Sequence, residues 1–284
     1  MAFAIDMRLG VQGLGKTVDA KYHRDQFNKL FRVIAPYHHR YDVFRDFVLM
    51  ASASLHNGIR KDMTLENQYL DTIKRYQPKD QKLFSELLGH VVMGLEARPH
   101  DFLGSVFMEL ELGNKGTGQF FTPYEVSYLM AKMLVGDSEE SCLKGKPFLT
   151  FQEPACGAGS MVIAFSEAMK EVGINPQRKL WVHCIDIDPL PARMCYVQLS
   201  LLYIPAIVQI GNGLFPKPAD VMLRTAAHYL GGWEGRIAHH FNQQEAPQAN
   251  ASPDSPVEPS QKPAATALPL LTPSTLPQMD LFSL

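Results

Sequence analysis

The chain has 284 residues, of which 46% are hydrophobic and 20% are charged, a composition typical of a globular protein with a substantial core. Its formal net charge of −2 gives no overall basic field, which argues against tight, autonomous binding of nucleic acid. No apolar run long enough for a membrane span is present and no secretion signal is apparent, so we expect a cytoplasmic protein without membrane contact.

The cysteine pattern predicts reduced thiols and no metal site. No two cysteines have the Cys-x-x-Cys spacing, which is the spacing that most often indicates zinc or redox chemistry. The four cysteines are Cys142, Cys156, Cys184 and Cys195.

Residues 1–20 predict a flexible, glycine-containing leader. Within it, Gly10 to Thr17 match G-x-x-x-x-G-K-T, the pattern of a phosphate-binding loop. That loop also requires further strands that carry a metal-binding acid, whereas a long helical stretch follows here. A leader without nucleotide is therefore favoured over a nucleotide site.

Residues 21–112 predict a helical domain. Apolar residues recur at helical spacing from Phe27 to Ile34 and again from Phe44 to Met50. The basic clusters His38-His39-Arg40 and Arg60-Lys61 could contact phosphates. Because acidic and basic residues balance in this region, a solvated face is the favoured interpretation.

A loop with three glycines at residues 113–118 leads into Gln119-Phe120-Phe121-Thr122-Pro123. Pro123 suits the first turn of a helix from Tyr124 to Val135, and Thr122 is the expected cap. The two phenylalanines then either belong to the core or line a ligand pocket, and this segment alone does not decide between these alternatives.

The stretch from Phe148 to Met161 predicts the opening of a βαβ unit. A buried strand ends at Glu153-Pro154, Gly157 and Gly159 form a tight turn, and a helix begins at Ser160. Glycines let a ligand approach the backbone closely, and the helix N-terminus offers unpaired N–H groups. Val162 replaces the third glycine of a dinucleotide site, and Glu153 suits a cationic group better than a phosphate.

A second strand from Leu180 to Ile187 brings Asp186 and Asp188 to its end. An acid in this position commonly holds the hydroxyl groups of a ribose. A ligand with an amino group and a ribose but no phosphate fits both strand ends, and S-adenosylmethionine is such a ligand.

The motif Gly118-Gln119-Phe120-Phe121-Thr122-Pro123 and the later motif Glu153-Pro154-Ala155-Cys156-Gly157-Ala158-Gly159-Ser160 together resemble the adenine-N6 DNA methyltransferases. The closest likeness is to the methylation subunit of type I restriction–modification systems, from about Leu103 to Leu214. The resemblance implies an α/β fold in which a helical domain precedes a partial Rossmann-like methyltransferase domain. It also implies S-adenosylmethionine as cofactor and DNA as substrate, in a restriction–modification, plasmid or phage setting.

The resemblance gives roles to these residues. Glu153 would bind the methionine amino group, Asp186 the ribose, and Asn212, after a third strand, the adenine ring, although a plain Asn-Gly turn is the alternative for Asn212. The predicted cofactor-binding residues are Gln119, Phe120, Phe121, Thr122, Pro123, Glu153, Pro154, Cys156, Gly157, Gly159, Ser160, Asp186 and Asn212.

The chain departs from the family after residue 214. Relatives carry a fourth strand that ends in Asn/Asp-Pro-Pro-Tyr/Phe and receives the flipped adenine, and this tetrad is absent from the sequence. We expect a parallel sheet of order 3-2-1, with Pro218 to Leu230 helical. The first strand would then be an open edge that the helices, a partner subunit or a second copy must cover.

Two functions follow from this departure. The chain is either an adenine-N6 DNA methyltransferase, in which no catalytic residue can be named, or an inactive cofactor-binding module that pairs with or regulates a partner methyltransferase. The methyltransferase domain is expected to span residues 113–242.

Residues 243–284 predict a disordered, proline-rich tail. Its end, Gln278-Met279-Asp280-Leu281-Phe282, resembles the pentapeptide by which bacterial replication and repair proteins bind the sliding clamp. Leu281 and Phe282 would fill an apolar pocket, Met279 a neighbouring groove, and Gln278 would fix the register. The sliding clamp is therefore a predicted partner.

Overall fold

The computed structural model describes residues 19–112, 121–214 and 221–245. Within these ranges the chain forms helices followed by a mixed sheet, which confirms the predicted α/β fold. None of the described helices is long and apolar enough to cross a membrane. The predicted residues outside the described ranges are the Gly10 to Thr17 motif, Gln119, Phe120 and the tail motif from Gln278 to Phe282.

The first five helices share an aromatic core. They are α1 (Ala20–Val33), α2 (Arg40–Asn57), α3 (Met63–Ile73), α4 (Pro78–Ala97) and α5 (Phe102–Glu109). Phe27 lies at the centre of this core, with ring contacts to Phe31, Phe47 and Phe102. The contact with Phe31 is stacked and the other two are edge-on, and contacts of both kinds stabilise a core beyond simple burial of area.

The basic cluster at residues 38–40 stabilises the helical region. The Arg40 guanidinium donates hydrogen bonds to the carbonyl oxygens of Phe31 (2.9 Å), Ile34 (2.8 Å), Ala35 and His38 (3.2 Å). These groups lie at the C-terminus of α1 and just beyond it, where carbonyl oxygens lack intrahelical partners. Arg40 is therefore a helix cap, and its donors are occupied within the chain.

The sheet and its covering helices follow. The strands are β1 (Leu149–Glu153), β2 (Leu180–Asp186), β3 (Ala206–Ile210) and β4 (Val221–Arg224). The helices are α6 (Tyr124–Val135), α7 (Glu139–Leu143), α8 (Ser160–Glu171), α9 (Pro176–Lys179), α10 (Pro189–Leu201), α11 (Ala226–Leu230) and α12 (Trp233–Glu245). Helix α6 packs along α8, and α10 packs against β2, β3 and the helical region.

The sheet order is β1-β2-β3-β4, with the first three strands parallel and β4 antiparallel to β3. The expected order 3-2-1 is therefore correct for β1 to β3, but the expectation of an all-parallel sheet is wrong because β4 is antiparallel. The expectation of a helix from Pro218 to Leu230 is wrong for residues 221–224. Thr225 explains the difference, because its hydroxyl donates to Ile204 O (2.8 Å) and accepts from Ala206 N (3.0 Å). This buried hydroxyl holds β4 against β3, and α11 begins only after it.

Strand β1 forms the edge of the sheet, as expected. Within the described ranges it pairs with β2 alone. Thr150 and Gln152 are exposed on one face, whereas Phe151 packs against Phe165 of α8 on the other (ring centroids 4.9 Å apart). Among the described residues, no strand pairs with the outer row of backbone N–H and C=O groups of β1.

Candidate functional site

The carboxyl ends of β1, β2 and β3 meet at one edge of the sheet. Gly157 N donates to Asp186 Oδ2 (2.8 Å), which joins the turn after β1 to the end of β2. Gly211 N donates to Asp186 O (2.8 Å), which joins the loop after β3 to the same residue. Three segments that are distant in sequence therefore form one surface, as parallel strands require.

The turn after β1 depends on two glycines with positive φ. Gly157 has φ +53° and Gly159 has φ +93°, a region that other residues adopt at an energetic cost. A Cβ on Gly157 would lie 3.1 Å from the Phe121 ring, and one on Gly159 would lie 3.0 Å from Cys195 Sγ. The turn is thus packed tightly from two sides, and Gly159 serves as the N-cap of α8.

Asp186 fixes the backbone around it. One carboxylate oxygen accepts from Gly157 N, and the other accepts from Asp188 N (2.9 Å). Asp188 in turn caps α10, where its Oδ1 accepts from Leu190 N (2.9 Å). Each carboxylate oxygen of Asp186 can accept a further hydrogen bond, so its predicted contact with a ribose stays compatible with this structural role.

Glu153 ends β1 and lies half-buried beside the turn. Burial raises the pKa of its carboxyl group, while a hydrogen bond from the Ala155 backbone acts in the opposite direction. A carboxylate in such a place is stabilised by a cation. Within the described residues no lysine, arginine or histidine forms an ion pair with it, so a cationic ligand group would fit here.

A cavity of about 230 Å³ brings several of the predicted residues together. The predicted residues that line it are Phe121, Thr122, Glu153, Cys156, Gly157 and Ser160. Pockets for whole small ligands usually measure roughly 300–1,000 Å³. The cavity is therefore large enough for one end of a ligand, and the rest of the ligand would lie along the open edge formed by Asp186 and the loop after β3.

The segment before α6 differs from the expectation in one detail. The helix begins at Tyr124 as predicted, but Pro123 occupies the N-cap and no side chain caps the helix, so the assignment of Thr122 as cap is wrong. Thr122 lines the cavity instead. The hydroxyl of Ser160 donates to Ser127 Oγ (3.1 Å), which ties the first turn of α8 to α6.

Asn212 lies at the same edge but is exposed. Its side-chain oxygen accepts from Leu214 N (2.9 Å), which closes a local turn. Gly213 packs closely here, since a Cβ on it would lie 2.6 Å from Pro154 O. The Asn-Gly turn is therefore present, and a contact of Asn212 with an adenine ring stays a prediction.

Sequence reasoning missed a buried polar bridge beneath the turn. The Gln198 side chain, fully buried in α10, donates to Ala158 O (2.8 Å) and Asp101 Oδ1 (2.9 Å) and accepts from Leu103 N (3.0 Å). Asp101 also lines the cavity, and burial raises the pKa of its carboxyl group. The only signal in the sequence was a glutamine among the apolar residues of α10.

Three cysteines meet below the turn, which their sequence spacing did not predict. The Sγ atoms of Cys156, Cys184 and Cys195 all lie within 4.8 Å of one another, and all three residues are buried. Hydrogen bonds from the Cys184 and Cys195 thiols lower the pKa of Cys156 to about 5. In the described part of the chain, this cluster is the group of side chains placed to hold a metal ion.

We expect Gly159→Ala to destabilise the fold more than Gly173→Ala. Both glycines have positive φ, so each substitution should cost roughly 1–2 kcal/mol of backbone strain. Only the Cβ at position 159 also meets a neighbour, Cys195 Sγ, because nothing lies within 4 Å of the Cβ position at Gly173. Urea denaturation of both variants checks this, and an equal loss in the two would contradict the packing described for the turn.

Comparisons with known proteins give a family match and similar solved structures. No curated protein matches the chain significantly. Among solved structures, a protein described as a class I S-adenosylmethionine-dependent methyltransferase from Listeria monocytogenes matches with 15% identity and a TM-score of 0.35, over 62% of this chain and 55% of that one. The type I restriction-modification system methyltransferase subunit from Streptococcus thermophilus matches with 17% identity and a TM-score of 0.32, over 66% of this chain and 42% of that one.

The chain thus spans about half the length of the solved structures that it matches. The family comparison covers residues 106–215, which include the turn after β1, Asp186 and the loop after β3. This segment matches the family described as N-6 DNA Methylase, and the resemblance inferred from the two sequence motifs is thereby confirmed.

Proposed function

We propose that the chain binds S-adenosylmethionine at the carboxyl ends of β1, β2 and β3 and methylates adenine N6 in DNA. The observation that carries this proposal is the meeting of Glu153, the glycine turn and Asp186 at one edge, within a segment that matches N-6 DNA methylases. The first strand supplies the acid for an amino group, and the second supplies the acid for a ribose.

The charge of the site supports this choice of ligand. Asp101 and Glu153 line the cavity and Asp186 adjoins the turn, so three carboxyl groups surround the proposed ligand. S-adenosylmethionine carries an amino group and a positively charged sulfur, and when bound it supplies an activated methyl group. A pyrophosphate ligand would instead be repelled by these carboxylates.

The residues of this chain would bind and orient rather than transfer a proton. Glu153 would hold the amino group, the backbone at Gly157 and Gly159 would allow close approach, and Phe121 would form an apolar wall beside the turn. Ile187, 70% exposed between Asp186 and Asp188, offers an apolar surface on which a flat ring can lie. No residue is assigned as catalytic, because the acceptor tetrad is absent from the sequence.

We expect Asp186→Ala to weaken S-adenosylmethionine binding at least about tenfold, because the substitution removes charge-assisted hydrogen bonds. Asp186→Asn removes the negative charge but retains an acceptor oxygen for Gly157 N. Its affinity therefore shows how much of the effect of Asp186→Ala comes from the lost charge rather than from a disturbed turn. Asp137→Ala, at an exposed position after α6, is the matched control. Isothermal calorimetry measures the affinities, and an Asp186→Ala variant that binds as tightly as the parent would refute the ribose assignment.

A second candidate function is that of a cofactor-binding module that needs a partner methyltransferase. The open edge of β1 favours it, and so does an exposed apolar stripe on α6. The stripe consists of residues at helical spacing, Val126, Leu129, Met130, Met133 and Leu134, of which Met133 is 77% exposed. Exposed apolar surface and an unpaired strand edge are each typical of interaction sites.

A methyl-transfer assay separates the two functions. If the chain is a DNA methyltransferase, the purified chain is expected to transfer labelled methyl groups to DNA without any other protein. If it is a cofactor-binding module, transfer is expected only when host extract is added. In the second case Leu129→Lys/Met133→Lys should abolish the stimulation by extract and leave S-adenosylmethionine binding intact. Met93→Lys, on the exposed side of α4, is the control. Absence of transfer under both conditions would rule out catalysis by this chain.

The motif at the C-terminal end of the sequence suggests a protein partner. Gln278 to Phe282 would bind the bacterial sliding clamp. Binding to a clamp on DNA would raise the local concentration of the domain and compensate for its net charge of −2.

We expect a labelled peptide of residues 273–284 to bind the clamp with micromolar affinity in fluorescence anisotropy. Leu281→Ala/Phe282→Ala should abolish the complex, because these side chains would provide the apolar anchors. A peptide of the same composition in scrambled order is the control. Failure of both the peptide and the intact chain to bind would exclude the clamp as a partner.

A further inference from the structure

A second, larger cavity lies away from the glycine turn. This groove, of about 780 Å³, runs between α2, α3 and the first turns of α10. Its lining includes Tyr41, Asn67 and Gln68, with Leu49 and Leu190 among its apolar residues. The volume lies within the range of small-ligand pockets, roughly 300–1,000 Å³.

Arg193 lies at the groove and is only 7% exposed. Its Nη1 donates to Ser52 Oγ (2.9 Å) and its Nη2 donates to Gln68 Oε1 (3.3 Å), and both of these partners are uncharged. Within the described residues it forms no ion pair with a carboxylate. A buried guanidinium without a counter-charge is unfavourable, and burial lowers the pKa of this one.

The other arginines nearby differ from Arg193. Arg40 directs its donors to four backbone carbonyls, which satisfy them within the chain. Arg45 also lines the groove, but it pairs with Asp42 (2.8 Å) and Asp46 (3.3 Å). Of these three arginines, only Arg193 is both buried and hydrogen-bonded to uncharged partners. An anionic ligand would therefore supply the counter-charge that Arg193 lacks.

We propose that the groove binds a nucleotide unit, free or within a DNA strand, whose phosphate pairs with Arg193. The planar guanidinium matches the geometry of a phosphate and can donate two parallel hydrogen bonds to it. Tyr41 provides an aromatic face for a base, and the amides of Asn67 and Gln68 provide donors and acceptors for its edge. This groove shares no lining residue with the cavity beside the glycine turn, although Asp188 places it next to the end of β2, and binding there does not depend on methyl transfer.

The acids of the groove restrict where the phosphate can lie. Asp71 lines the groove but pairs with Lys74 (3.3 Å), which reduces its repulsion of an anion. Asp188 also lines the groove, and its Oδ1 accepts from Leu190 N at the start of α10. The phosphate is therefore expected beside Arg193 and Gln68.

Calorimetry and thermal unfolding of the full chain test this proposal with three probes: adenosine monophosphate, adenosine, and a single-stranded deoxyoligonucleotide. Binding of the monophosphate or the oligonucleotide, but not of adenosine, is expected, together with a rise in melting temperature. Binding of the monophosphate indicates a free nucleotide, and binding of the oligonucleotide alone indicates a DNA strand. Arg193→Met should reduce the affinity at least about tenfold.

The stability of the unliganded variants separates binding from a structural role. Because Arg193→Met removes an uncompensated buried charge, its melting temperature without ligand should equal or exceed that of the parent. Arg40→Gln, in contrast, should lower the melting temperature but keep the affinity. Asn67→Glu adds a negative charge at an exposed position of the groove and should weaken binding even if Arg193→Met does not fold.

Three results would overturn the proposal. They are no binding of either phosphate-containing probe, equal binding of adenosine and its monophosphate, and an affinity that neither Arg193→Met nor Asn67→Glu changes.

Discussion

The amide of Gln198 is the contact on which the arrangement of this molecule depends. It lies on α10, fully buried, and hydrogen-bonds to Ala158 in the glycine turn and to Asp101 and Leu103 at the start of α5. It thus joins the helical region to the turn after β1. Losing the amide would leave Leu103 N without this partner and would remove one hydrogen bond each from Ala158 O and Asp101 Oδ1, although Asp101 Oδ1 keeps its bond from Gly104 N (2.8 Å). Each buried polar group left unpaired costs about 1–3 kcal/mol. The helical region therefore helps to fix the position of the glycine turn, where a cofactor would bind.

Much of the fold could be predicted because it follows from local patterns. The strand, glycine turn and helix from Leu149 to Glu171 appear where the sequence places them, since apolar periodicity and glycine chemistry act over a few residues. The edge position of β1 followed from the missing fourth parallel strand. Both predictions needed only sequence spacing and the rules for parallel sheets.

The features that were missed arise from contacts between distant segments. Strand β4 has four residues, and it is held by the hydroxyl of Thr225 rather than by a periodic pattern. The three thiols come from a turn, a strand and a helix, so their spacing gave no signal. The sequence does not distinguish Arg193 from other helical residues, because its contact with Ser52 of α2 arises only from the fold.

The described residues place the proposed cofactor-binding groups at the carboxyl ends of the strands, and they leave β1 at the edge of the sheet. Glu153, Gly157 and Asp186 lie together, whereas β1 has an unpaired edge and α6 an exposed apolar stripe beside α8. A complete site for a flipped base would need the missing acceptor tetrad to come from elsewhere. The chain matches N-6 DNA methylases over residues 106–215, where the proposed cofactor-binding groups lie. No residue can be assigned to catalysis, because the acceptor tetrad is absent from the sequence.

The central claim is that the ends of β1, β2 and β3 bind S-adenosylmethionine as one surface. Hydrogen-exchange mass spectrometry with and without S-adenosylmethionine tests it most directly. The account predicts simultaneous slowing of exchange in residues 153–160, 186–188 and 211–214, with no change in α3. Unchanged exchange in all three segments at saturating ligand, or protection confined to a segment elsewhere, would contradict it.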